Sequence, residues 1–170
     1  MLARVGIQTN VAIAALAIVA VLLPRSAFAQ SRTATLNVSI NGLARLSLST
    51  TGVTFPDSNP DLVPLVPGAP GPLTVTVKAR ATLNATLRLS VLASDDLRSG
   101  VRTIPASTIT WTASGTGFVP GTLNRATAQT VGMWIGSGVR SGTQSLLFNN
   151  LWTHPTGTYT LTMTYTLSSP

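Results

Sequence analysis

The chain reads as an all-β protein, an immunoglobulin-like β-sandwich of roughly eight strands, and three observations say so. Near the end, Tyr159, Leu161, Met163, Tyr165 and Leu167 fall on every second position with Thr between them, the period of a strand with one face inward. The same period recurs along the chain between breaks rich in Gly, Pro and Asn. There is no Glu at all, few charges and much Thr and Ser, which is poor material for surface helices and good material for strands with hydroxyl-lined outer faces.

The N-terminus reads as an export leader. Arg4 precedes the unbroken apolar run Val11 to Leu23, and Ala27-Phe28-Ala29 is a small-x-small cleavage pattern, so cleavage is expected after Ala29. The run is short of the roughly 20 residues that span a bilayer, so no stable membrane span is expected once the leader is removed. Residues 1–29 are thus assigned as signal peptide and 30–170 as a single domain, large enough for a core without staples. The chain has no Cys, which rules out lipid anchoring at the cleavage site and leans towards a bacterial product.

Within the domain, Leu36, Val38 and Ile40 alternate with Asn37, Ser39 and Asn41; Asn41-Gly42 is a turn dipeptide, and Leu46 and Leu48 resume the pattern, predicting two strands. Val53 and Phe55 form a short apolar pair. From Pro56 to Pro72 six prolines remove backbone donors, predicting a long connection without regular structure, read as a crossover between sheets. Leu73 to Lys78 and Ala85 to Ala93 are two firm strands. Asp95 to Gly100 is a polar turn, Ile104-Pro105 breaks the chain, and Ile109 to Ala113 is the next strand. Gly115 to Gly121 is loop. Gln129 to Ile135 and Ser145 to Asn149 are strands separated by breaks at Gly136-Ser137-Gly138 and Ser141-Gly142. The last strand, Thr158 to Ser168, is expected inside a sheet, because a strand so late must pair with something earlier.

The formal charge is +7. Arg4 and Arg25 leave with the leader, and the remaining basic residues exceed Asp57, Asp61, Asp95 and Asp96 by about five. They are scattered singly with no aromatic ladder among them, so no nucleic acid is expected as partner. An exported cationic domain would meet anionic envelope polymers first, with other surface proteins as further partners.

No catalysis and no cofactor are expected. His154, the single histidine, precedes Pro155 at a strand entrance, and no Ser stands in a nucleophile elbow. Asp95-Asp96 beside Arg98 reads as a capped turn. Asp57-Ser58-Asn59-Pro60-Asp61 spaces oxygen ligands like the first half of a calcium loop, but Leu62 stands where such a loop needs Gly and Gly68 where it needs Glu, so no metal is assigned. The residues to weigh for binding are Trp111, Trp134 and Trp152, as packing or as a platform for sugar rings. Trp111 shares a face with Ile109 and leans to packing, whereas Trp134 and Trp152 border Gly- or Asn-rich breaks.

The stretch Gly157 to Leu167, together with Asp96-Leu97, Ser99-Gly100 and Thr103 to Trp111, resembles the bacterial WxL-type surface domain. Tyr165-Thr166-Leu167 stands where that family has Trp-x-Leu, and Trp111-Thr112-Ala113 is a partial second copy. The resemblance implies a secreted, cell-surface protein that attaches non-covalently to peptidoglycan, and adds Tyr165 and Leu167 to the polymer-binding candidates. The alternatives are a carbohydrate-binding module and a pilus-like subunit assembling by strand exchange, which needs a free donor strand.

Overall fold

A computed structural model describes residues 34–168. The leader at 1–29 and its cleavage site lie outside the described residues. From Ser39 onward the chain forms one compact unit. It is all-β: the eleven described strands are β1 (Leu43–Leu48), β2 (Leu65–Pro67), β3 (Leu73–Arg80), β4 (Thr86–Ala93), β5 (Leu97–Ser99), β6 (Arg102–Ile104), β7 (Ile109–Ser114), β8 (Gly121–Thr122), β9 (Gln129–Ile135), β10 (Gly138–Asn149) and β11 (Met163–Ser168).

The strands form a sandwich of two antiparallel sheets plus a small hairpin. The larger sheet runs β1-β3-β10-β7-β8 with β2 added against β10; the smaller runs β11-β4-β9; β5 and β6 pair with each other. The inward rows are those the period of two marks out. Leu73, Val75, Val77 and Ala79 of β3 meet Leu87, Leu89, Val91 and Ala93 of β4 in one core, with Ile109, Trp111, Val131 and Leu146. The strand count exceeds eight because β2, β5, β6 and β8 are two or three residues long, too short for any period to register.

β10 is the spine of the larger sheet. Along one side it pairs with β3 and then, end to end, with β2; along the other it pairs with β7. Its twelve residues run straight through Ser141-Gly142, where the sequence predicts a break. Gly142 is there for closeness: a Cβ on it would stand 2.4 Å from the Phe118 ring and 2.4 Å from the Ser114 carbonyl oxygen.

Three further expectations are corrected. Leu36 to Ile40 forms no strand, and Asn41-Gly42 leads straight into β1 instead of turning a hairpin. The proline-rich connection carries a short strand after all, because Val66 turns into the core and β2 fills the side of β10 beyond the end of β3. The last strand is shorter than predicted and pairs with β4 alone, so it is an edge. Thr158 to Thr162 keep the alternation with Tyr159 and Leu161 packed on the core, but their backbone bonds go elsewhere: Thr160 exchanges two 3.0 Å bonds with Arg98, and Thr162 accepts from the Ser94 amide. Among the described residues no helix is long and apolar enough to cross a membrane.

Candidate functional site

One end of the sandwich presents an exposed aromatic side chain on a fixed mount. Asn59 accepts the Asp61 amide on its Oδ1 at 3.0 Å and the Leu62 and Val63 amides on its carbonyl, closing a tight turn. Asn150, just past β10, ties that turn down: its Nδ2 donates to the Ser58 carbonyl at 2.9 Å, and its amide donates to the Pro64 carbonyl at 2.8 Å. The two segments so joined hold Asp61 and Trp152 together, and the indole Nε1 donates to Asp61 Oδ1 at 3.0 Å. Trp152 is 70% exposed, and Leu62, Leu65 and Leu151 on the same two segments are exposed as well. Nearby, Phe148 stands between Phe55 and His154, with ring centroids 5.8 and 5.5 Å away, and His154 Nε2 is 3.0 Å from the Asn149 carbonyl oxygen. His154 is a turn residue in this setting.

The other sequence candidates lie apart from this end. Trp111 and Trp134 are core residues, 2% and 6% exposed, each with its indole N–H satisfied: Trp111 by the Val119 carbonyl at 2.9 Å and Trp134 by the Thr116 carbonyl at 2.8 Å. Glycines make room for both rings. A Cβ on Gly121 would meet the Trp111 ring at 2.4 Å, and one on Gly132 the Trp134 ring at the same distance, while Phe118 meets Trp134 edge-on at 4.9 Å. With their ring faces covered by backbone and Phe118, neither offers an open stacking surface in this conformation. Trp134 only reaches the wall of a shallow depression shared with Thr116, Ile135, Val139, Arg140 and Ser141.

Tyr165 and Leu167 point inward from β11 and are half-buried. The Tyr165 hydroxyl donates to Gln144 Oε1 at 2.9 Å, and burial pushes the phenol up to about 12. Four of the five candidates thus belong to the core or pack against it, and Trp152 alone faces solvent.

The acidic side chains Asp61, Asp95 and Asp96 make protein contacts. Asp61 is engaged by Trp152, and among the described residues no three His, Cys, Asp or Glu converge as a metal set. Asp95 Oδ2 accepts from Arg98 Nε at 2.6 Å while Asp96 Oδ1 accepts the Ala106 amide at 2.9 Å, and Arg125 sits 3.4 and 3.3 Å from the two carboxylates. The bond from Arg98, with that from the Asp96 amide, holds the Asp95 carboxyl well down, at about 2.

Sequence reasoning missed the Asp61–Trp152 partnership, which links residues 91 apart and has no local pattern. It left the burial of Trp134 open, although one signal existed: Gly132 two residues earlier lies on the same strand face, where a ring can fold over it. No protein-family model matches the chain, and no curated protein matches it.

Proposed function

We propose that the chain is an exported bacterial domain of the cell surface or envelope that is structural rather than catalytic and contacts wall polysaccharide, with peptidoglycan the first polymer to test. The observation that carries this reading is Trp152, exposed yet tied through its indole N–H to Asp61, with Leu62, Leu65 and Leu151 exposed on the same two segments. A flat ring restrained by such a bond loses less freedom when a pyranose stacks on it. The leader pattern, the excess of scattered Arg and the likeness of the last strand to WxL-type surface domains point the same way.

The test is a pull-down of the exported chain with purified peptidoglycan at two salt concentrations. Charge attraction fades as the Debye length falls from about 10 Å at 0.1 M to about 3 Å at 1 M, whereas stacking persists. Binding that survives high salt and is lost in Trp152→Ala is the expected result. Binding abolished by salt alone reduces the contact to generic charge, and absence of binding at both salts discards the polymer.

A further inference from the structure

The segment Thr35 to Asn41 carries the pattern of a strand but belongs to no sheet among the described residues. Its apolar side chains are Leu36, Val38 and Ile40, at 88%, 72% and 72% exposure, and Asn37, Ser39 and Asn41 alternate with them. Three apolar residues in strict alternation are suited to a half-buried strand and poorly suited to solvent.

The smaller sheet offers one edge that fits it. In the smaller sheet, β9 is closed on its outer side by residues 117–119: Phe118 bridges Gly132, the Val119 amide donates to the Val131 carbonyl at 2.9 Å, and the Met133 amide donates to the Gly117 carbonyl at 2.9 Å. At the other end, β11 pairs with β4 and with nothing beyond it among the described residues. Its inward row, Met163, Tyr165 and Leu167, is only half-buried, whereas the row beside it on β4 is almost wholly buried. Edge strands are ordinarily guarded by charge, Pro or a bulge; Met163–Ser168 has neither charge nor Pro, and its register with β4 runs without a bulge.

We propose that Thr35 to Asn41 of one copy adds as a strand to the free edge of β11 in a second copy. Leu36, Val38 and Ile40 then continue the inward row of Met163, Tyr165 and Leu167, while Asn37 and Ser39 join Thr164 and Thr166 on the outer face. The arm is long enough: from the expected N-terminus at Gln30 to Asn41, about a dozen residues at about 3.3 Å each reach about 40 Å, twice the length of β11. Docking on its own β11 would need the Asn41-Gly42 link to cross the roughly 10 Å between sheets at full stretch, since β1 begins at Leu43 in the larger sheet. A second copy imposes no such limit. Because donor and acceptor are different surfaces, the contact is head-to-tail and repeats from copy to copy. This goes beyond the wall-binding reading and requires no sugar.

The experiment uses the exported chain in light scattering coupled to size exclusion over a range of concentrations, beside Val38→Asp, whose site is solvent-exposed and whose melting should match the parent. A ladder of oligomers in the parent and a monomer in Val38→Asp is expected. A synthetic peptide of Thr33 to Asn41 added to Val38→Asp should slow amide exchange at Met163–Ser168, and the same peptide carrying Asp at position 38 should not. A parent that is monomeric at every concentration, oligomers that persist in Val38→Asp, or peptide-induced protection away from β11 would each overturn the proposal. So would a monomer whose own arm amides are protected. None of these measurements contains polysaccharide, so their failure leaves the wall reading standing, and failure of the pull-down leaves this one.

Discussion

The Tyr165 hydroxyl crosses from the smaller sheet to the larger one and donates to Oε1 of Gln144 at 2.9 Å. Gln144 is the buried polar side chain of a core that is otherwise apolar among the described residues, and its Nε2 has no partner there. The amide is thus held by one bond from a strand at the edge.

Tyr165→Phe should lower stability by about 1–3 kcal/mol, because it leaves a buried amide without any side-chain partner. Gln144→Leu made in the same background should recover part of that loss, since it removes the unsatisfied group together with its need. Chemical denaturation of the two single variants and the double variant reads the coupling directly.

The same phenol sets an alkaline limit. Its pKa is about 12 folded against an ordinary value of 10.0, so its contribution to stability is complete below pH 10 and is lost as pH rises from 10 through 12. At about 1.4 kcal/mol for each tenfold change in proton affinity, the loss amounts to roughly 2–3 kcal/mol. Melting temperatures taken across this window should fall more steeply for the parent than for Tyr165→Phe.

Asp95 acts at the other end of the scale. Its carboxyl is held at about 2 against 3.8, so the stabilisation it supplies is complete above pH 4 and is lost as pH falls towards 2. The group is exposed and its ion pairs are screened, so the effect is small. Arg98→Gln should melt below the parent at pH 6 and approach it near pH 2.

Gly142→Ala should cost at least about 1–3 kcal/mol, because the added carbon meets the Ser114 carbonyl oxygen and the Phe118 ring well inside contact distance. Gly52→Ala, where a Cβ would meet nothing within 4 Å, is the control and should melt within a degree or two of the parent.

The tryptophans should divide. Trp134→Ala removes a buried ring and should cost about 3–5 kcal/mol, whereas Trp152→Ala should leave stability within about 0.5 kcal/mol while abolishing salt-resistant wall binding. Thermal melts beside the pull-down separate the two roles.

The long strands were legible because a period of two is a local property: β3, β4, β7 and β9 fall where the alternation places them. What failed was any feature decided by a distant partner. Leu36 to Ile40 has the period without a sheet, Thr158 to Thr162 has it while bonding to Arg98 and Ser94, and Gly142 looks like a break but marks where Phe118 comes close. Among the binding candidates, residue type alone could not separate Trp134 from Trp152, since both border Gly- or Asn-rich breaks and only the fold decides which ring is covered.

The place of β10 in the chain governs when the domain can fold. Up to Ser114 the pairings available are β1 with β3 and the small β5–β6 hairpin; every other ladder waits for residues beyond 120, and the smaller sheet for Met163–Ser168. Closing β3 against β10 joins residues such as Leu73 and Gln144, a separation that puts the domain among slow folders, on the millisecond-to-second scale of sandwiches. The larger sheet cannot close before Asn149 nor the smaller before Ser168, so most of the chain has been made before either layer exists to hold it.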